Sequence, residues 1–329
     1  MIDLFDTIYT KIENRNKFLS RVKYYAFLRF VIRSLVNILA PLYFLSTRGK
    51  KENSIRNNIS VKNRSPLIIV TMTSFPARIN RVWLVIETLL RQTQKPDRII
   101  LWISKEQFAS IDQLPARLTS QKKRGLEIRI VEGDLKSHKK YYYTLKEFPH
   151  DIMITIDDDI FYRSTMIEDL YNYFLRFPTN IISQYCKQMT WTKNELTPYN
   201  LWLLKEEEVI QSYSLFFGTG GGTLIPPKSM YKDVLNEELF MALSPTADDV
   251  WLNSMCQLNN TMITQTKYYT DNLPILNMKK ISLASVNVSK NHNDLQLKAI
   301  REYYIKNKIR DPFFNTLVNS SFNIGSQCN

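Results

Sequence analysis

The chain has 329 residues, enough to bury a sizeable core, and its 44% hydrophobic and 12% aromatic content excludes a disordered polymer, which lacks the apolar surface to offset the entropy of ordering. With 44 Lys and Arg against 31 Asp and Glu the formal charge is +13, which favours acidic partners such as phosphates and anionic lipids. Ten of the basic residues but three of the acidic ones precede Glu52, so the basicity belongs largely to one end.

The first predicted element is YYAFLRFVIRSLVNILAPLYFL, Tyr24 to Leu45, an apolar stretch interrupted by Arg29, Arg33, Asn37 and Pro41. A spanning helix needs about 20 nearly uninterrupted apolar residues. The reading is therefore an amphipathic helix on a membrane surface, with Arg29 and Arg33 on one face and Phe27, Val31, Leu35 and Ile38 following the complementary period. Lys11, Arg15, Lys17, Arg21 and Lys23 upstream suit an anionic leaflet. The competing reading packs this helix on the catalytic domain or on another subunit, with its arginines solvated. The stretch begins too late for a cleaved signal, and no small-residue cleavage site follows it. Arg48 to Ser65, RGKKENSIRNNISVKNRS, reads as a linker, which makes residues 1–64 a basic helical segment with its tether.

The composition changes at Pro66. LIIVTMTS, Leu67 to Ser74, is a short β-branched run of the kind that forms a strand buried on both faces. A helical period through Val82, Val85, Ile86, Leu89 and Leu90 follows, then RIILWIS, Arg98 to Ser104, as a second strand: a right-handed parallel crossover. Leu126 to Val131 is a third strand and Lys139 to Phe148 a helix. Ile152 to Ile156 is a central strand that delivers Asp157, Asp158 and Asp159 at its carboxyl end, where open α/β sheets bind ligands. Beyond it come strands at Ile181 to Tyr185, Leu215 to Phe217 and Gly222 to Ile225, and helices at Met166 to Phe177 and Asp248 to Leu258. One α/β domain over 65–329 is the simplest architecture, with a nucleotide-binding half at 65–160 and an acceptor-binding half at 161–329.

Cys186, Cys256 and Cys328 are odd in number and far apart, without the spacing of a zinc site, and read as reduced thiols. Sequons begin at Asn58, Asn63, Asn259, Asn287 and Asn319 and matter only in a secretory protein. Nucleic acid is not an expected partner, because the basic excess is interleaved with a hydrophobic helix and carries no binding motif.

Three adjacent carboxylates at a strand end repel one another, so a cation is expected among them. A hard divalent ion such as Mn2+ or Mg2+ takes oxygen ligands and leaves positions open for the oxygens of a diphosphate. Gly220, Gly221 and Gly222 are not followed by the Gly-Lys-Ser/Thr of a phosphate loop and read as a place of close backbone approach. The aromatics of WTKNELTPYNLWL, Trp191 to Leu203, suit either stacking on sugar rings or the core.

Six pieces occur in one order: IIVTMTSFPAR, SHKKYYYTL, TIDDDIFY, GTGGGT, TADDVWL and VSKNHNDL. In that order the sequence resembles glycosyltransferases of the GT-A fold over Leu67 to His292, and within them the exostosin-like and the bacterial capsule and lipopolysaccharide enzymes. The resemblance implies a GT-A, Rossmann-like α/β fold with a mixed, mainly parallel sheet flanked by helices, and transfer from a nucleotide-sugar, a UDP-sugar first, to a glycan or lipid-linked acceptor. It gives Asp157 to the donor ribose or metal shell, Asp159 to the metal, and His292 to completing the metal site, with Asp158 least defined. Lys140, or else Lys139, is implied to touch the nucleotide or its diphosphate, and Thr71, Thr73, Ser74 and Arg78 the nucleobase and ribose. The glycines are implied to border the sugar. Asp248 and Asp249 match an acidic pair whose second member faces the acceptor hydroxyl, which makes Asp249 the general base of an inverting reaction. The pair departs from the commoner Glu-Asp form, leaving Asp248 open for that role; in a retaining enzyme the carboxylate orients substrate instead. The rivals are a sugar-nucleotide pyrophosphorylase, whose glycine-rich loop SFPARINR lacks, and a membrane-associated scaffold without turnover. The expected location is the cytoplasmic side of an inner membrane, held peripherally.

Overall fold

The computed structural model describes residues 1–12, 23–47, 64–193, 195–204, 209–268, 271–276 and 291–316. The linker reading at 48–63, the basic residues Arg15, Lys17 and Arg21, four of the five sequons and Cys328 lie outside the described residues. The chain is α/β, with mixed sheets flanked by helices and an apolar helix near the N-terminus. It divides into two compact units, Met1–Gly133 with Asp157–Asp169 and Thr270–Lys280, and the remainder.

In the first unit, α1 (Ile2–Thr10) and α2 (Tyr24–Ser46) precede β1 (Ile68–Thr73), α3 (Val82–Leu90), β2 (Arg98–Ser104) and β3 (Leu126–Val131). The three strands are parallel in the order β1-β2-β3. β1 and β2 read as unbroken apolar runs because nearly every residue is buried, as a sheet covered on both faces requires. All nine residues of α3 are buried, Glu87 among them. That carboxylate is matched by Arg124, by Arg91 at 3.1 Å and by the Gln121 amide at 3.1 Å, the partners without which a buried charge is strongly destabilising.

α2 runs without a break through Pro41, so the proline does not interrupt the apolar segment. By length and composition this helix is long and apolar enough to cross a membrane, against the expectation drawn from its polar residues. Arg29 and Asn37 face the protein. Arg29 pairs with Asp271, and Asn37 donates to the Pro274 carbonyl at 3.0 Å and accepts from the Leu276 N–H at 2.8 Å. At the far end Arg91 donates to the Phe44 carbonyl at 3.2 Å and to the Thr47 hydroxyl at 2.8 Å, placing a cation at the C-terminus of α2, where the helix dipole favours one.

The second unit contains α4 (Lys139–Glu147), β4 (Ile152–Ile156), most of α5 (Met166–Arg176), and the strands β5 (Ile181–Ser183), β6 (Cys186–Gln188), β7 (Trp191–Thr192), β8 (Glu195–Leu196), β9 (Leu203–Leu204), β10 (Ile210–Ser212), β11 (Leu215–Phe217) and β12 (Gly221–Ile225). α6 (Glu237–Leu243), α7 (Asp248–Leu258), β13 (Ile263–Gln265) and α8 (His292–Lys306) complete it. Its larger ladder has the order β10-β13-β5-β12-β4, with β5 and β13 parallel and the other neighbours antiparallel. A second sheet, β11-β6-β9, is antiparallel. The core gathers Tyr141, Phe217, Phe240, Trp251, Ile300 and Tyr304. Cys186 and Cys256 are free and buried, and burial pushes the Cys186 thiol up to about 12, so both behave as small apolar side chains.

Candidate active site

In the first unit the acidic run forms a turn whose backbone is pinned on both sides. The Asp157 N–H donates to the Tyr162 hydroxyl at 2.8 Å, and the Ile275 N–H donates to the Asp159 carbonyl at 2.7 Å. Asp158 is buried, whereas Asp157 and Asp159 on either side are half-buried. The Ser74 hydroxyl donates to Asp158 Oδ2 at 2.6 Å, and Arg78 Nη1 lies 2.6 Å from Asp158 Oδ1 and 2.9 Å from Asp159 Oδ2. Burial raises the Asp158 carboxyl above the usual range although Arg78 and Ser74 pull it down. Burial works against the Arg78 charge too, but the carboxylates of Asp158, Asp159 and Asp157 outweigh it and hold the guanidinium above its ordinary value.

The cation expected among the carboxylates is thus in part the protein's own. Ser74 and Arg78, assigned to the nucleoside by resemblance, are bonded to the acidic turn. Thr71 is buried and its hydroxyl accepts from the Trp102 indole N–H at 3.1 Å, while the Thr73 hydroxyl donates to the Trp102 carbonyl at 2.9 Å.

In the second unit the acidic pair opens α7, and the two carboxylates have different surroundings. Asp248 is buried; Lys140 Nζ lies 3.0 Å from its Oδ2, and the Thr219 hydroxyl donates to the same oxygen at 2.7 Å. Burial alone would raise this carboxyl; Lys140 first, then His138 and Thr219, outweigh it and hold it below the usual carboxylate range. Asp249 is half-buried, and its Oδ1 accepts from the Val250 N–H at 2.9 Å. Lys140, expected at the diphosphate, therefore pairs with Asp248, and Lys139 pairs with Asp134.

Asp249 shares its surroundings with residues that sequence reading did not single out. Lys187 on β6 sets its ammonium 3.8 Å from the centre of the Tyr199 ring. Burial lowers the Lys187 pKa, with the charges of Asp249 and Asp294 pulling the other way. The Tyr199 N–H donates to Asp294 Oδ1 at 2.8 Å, and Asp294 lies in the first turn of α8, which His292 begins. Tyr199 and Trp202 pack on Phe216, so these aromatics belong mainly to the core. The signal available in the sequence was only a lysine between two apolar stretches.

The glycines also separate. Gly222 sits at φ +91° in the irregularity where β12 slips its register against β4, a conformation that favours glycine. Gly218, outside the expected triplet, is required by proximity: a Cβ there would lie 2.7 Å from the Tyr185 ring. Gly220 is in the turn before β12 and Gly221 begins the strand.

His138 precedes α4 and is fully buried, stacked 4.4 Å from Phe240. Its Nε2 lies 2.7 Å from the Ser244 carbonyl, which can only accept, so Nε2 carries the proton and Nδ1 accepts from the Tyr141 hydroxyl at 3.0 Å. Burial pushes its pKa down to about 4. The unfolded chain binds the proton below the ordinary value of about 6.5 and the folded chain does not, so this residue makes stability fall as pH drops from about 6.5 to about 4. Denaturant titrations should give a protein less stable at pH 5 than at pH 7 by about 2 kcal/mol from this group, and His138→Gln should remove that part of the slope.

Among the described residues no group of three or more His, Cys, Asp or Glu is placed to hold a metal ion. The donor set nonetheless suits a small hard cation. Mg2+ and similar ions are commonly held by one or two carboxylates together with substrate phosphate oxygens and water, not by an all-protein cage. Asp157 and Asp159, half-buried and flanking a carboxylate anchored by Arg78, are of that kind.

No model of a known protein family matches the chain, and no curated protein does. Solved structures that it resembles include the mannosyltransferase PcManGT from Pyrobaculum calidifontis in complex with GDP-Man and Mn2+, at 12% identity and TM-score 0.46 over 82% of this chain and 76% of that one. TarS from S. aureus in complex with UDP is similar at 12% identity and TM-score 0.38, over 72% of each chain. A third is the 4-diphosphocytidyl-2C-methyl-D-erythritol synthase from Anaerococcus prevotii, at 16% identity and TM-score 0.35 over 55% of this chain and 79% of that one.

Proposed function

We propose that the chain is a metal-dependent glycosyltransferase that moves a sugar from a nucleotide-sugar, a UDP-sugar first, to a glycan or lipid-linked acceptor in the synthesis of a surface polysaccharide. The donor part is assigned to 65–160 and the acceptor part to 161–329. The observation that carries the reading is the arrangement of Asp157-Asp158-Asp159: the middle carboxylate is buried and anchored by Ser74 and Arg78, and the outer two are half-buried on either side of it, Asp159 with one oxygen 2.9 Å from the same guanidinium.

Asp157 and Asp159 would hold the cation, which when bound neutralises charge developing on the leaving diphosphate. Arg78, bonded to Asp158 and Asp159, fixes the direction of those carboxylates. Asp249 accepts the proton of the acceptor hydroxyl as its oxygen bonds to the anomeric carbon and the bond from that carbon to the diphosphate oxygen breaks. Its neighbour Asp248 is committed to Lys140 and Thr219 and holds the start of α7 in place.

The test is nucleotide release from a panel of UDP-, GDP- and CMP-sugars with Mn2+ and with EDTA. Release with Mn2+ that disappears in EDTA is the expected result. Folded protein that releases nucleotide from no donor would replace this reading with that of a scaffold.

A further inference from the structure

We propose that the outer face of α2, continued by α1, docks on an anionic bilayer surface. Helices on a protein surface turn their apolar stripe inward and their polar residues to water. α2 buries Val36, Ala40 and Phe44 in that way, but it also turns polar residues to the protein and leaves a second apolar row outside. Arg29 and Asn37, about two turns apart on one face, are bonded within the first unit, Arg29 to Asp271 and to the Ile12 carbonyl at 2.9 Å, and Asn37 to the Pro274 carbonyl and the Leu276 N–H, while Arg33 between them donates to the Arg29 carbonyl of its own helix at 3.3 Å. The opposite side presents Phe27, Ile38 and Leu42, each more than half exposed, at 61%, 63% and 62%. α1, which packs on α2, adds Leu4 at 63%.

Charge is segregated in the same sense. Asp3 accepts from the Ser164 N–H at 2.7 Å and from its hydroxyl at 2.6 Å, and Asp6 is buried 3.8 Å from Arg163. Lys11 and Lys23, at the ends of the two helices that face each other in sequence, are exposed. An apolar face flanked by exposed lysines, with these two acids turned inward, complements a surface of acyl chains beneath anionic headgroups. Crossing the bilayer is disfavoured although the helix is long enough. Val36, Ala40 and Phe44 are buried against protein, and a spanning position would draw Asp271 and the backbone groups bonded to Asn37 into hydrocarbon.

The proposal does not depend on sugar transfer, and its test reads lipid binding alone. The full chain is sedimented with vesicles of phosphatidylcholine and with vesicles in which part of it is replaced by phosphatidylglycerol. The protein should pellet with the anionic vesicles. The combined change Phe27→Ser, Ile38→Ser and Leu42→Ser should weaken partitioning by about tenfold or more, because three apolar side chains leave the acyl boundary. Its thermal midpoint should stay close to that of the parent, since all three are exposed. Leu4→Ser should weaken binding to a smaller degree, and Leu175→Ser, an equally exposed leucine on α5, should leave it unchanged. A parent protein that stays in the supernatant with both vesicles, pellets equally with both, or binds as well after the triple change would overturn the assignment.

Discussion

Asn in place of Asp249 is expected to lower the transfer rate by roughly two to four orders of magnitude while the protein stays folded. The side chain is half-buried, and its Oδ1 takes the neighbouring Val250 N–H, which the Asn oxygen can still accept. What the amide lacks is a lone pair basic enough to take a proton. Asp248→Asn should give the opposite pattern. Lys140 and Asp248 are both buried, with side-chain exposures of 4% and 9%, and neutralising one partner leaves the other charged and unpaired in a buried position. Breaking such a pair costs about 3–5 kcal/mol, so the second variant should show a lowered denaturation midpoint before any question of catalysis arises. Steady-state nucleotide release and thermal melting, run on both variants, separate the two roles. If the rate loss followed Asp248 with stability unchanged, the base would have to be reassigned.

Changing Asp159 or Asp157 to Asn should reduce release by about a thousandfold, the consequence of losing several kcal/mol of charge stabilisation on the leaving group. The fold should persist, because neither side chain is fully buried. Titration of Mn2+ in the presence of a nucleoside diphosphate should show weakened binding in both variants, a readout independent of turnover. Asp158→Asn should behave differently: it removes the charge that Arg78 and Ser74 address inside the turn, and a lower melting temperature is the expected result. A variant at Asp159 that kept full activity while EDTA still inhibited the parent would place the cation on other residues.

The anchoring of the acidic turn also ties it to the N-terminal helix. Asn37 bonds to Pro274 and Leu276, and the Ile275 N–H between them donates to the Asp159 carbonyl, so the helix and the turn share one supporting segment within the first unit.

The long elements were legible in the sequence nearly to the residue. RIILWIS, Leu126 to Val131, Ile152 to Ile156 and Asp248 to Leu258 stand where reading the apolar pattern puts them. Strands covered on both faces read as uninterrupted β-branched runs, and amphipathic helices repeat at 3.6 residues, so local pattern suffices. It does not suffice for β6 to β10, strands of two or three residues whose existence depends on pairing with distant partners and which carry no period of their own. The acidic run and the acidic pair were equally visible as composition. Which carboxylate is anchored and which is half-exposed was not, because Arg78, Ser74, Lys140 and Thr219 reach Asp158 and Asp248 only through the chain's long-range folding. The same holds for α2. Its sequence defines two faces by the helical repeat, but periodicity carries no sign, and only the tertiary contacts of Arg29 and Asn37 with Asp271, Pro274 and Leu276 turn these two inward beside Val36, Ala40 and Phe44 and leave Ile38 and Leu42 outside.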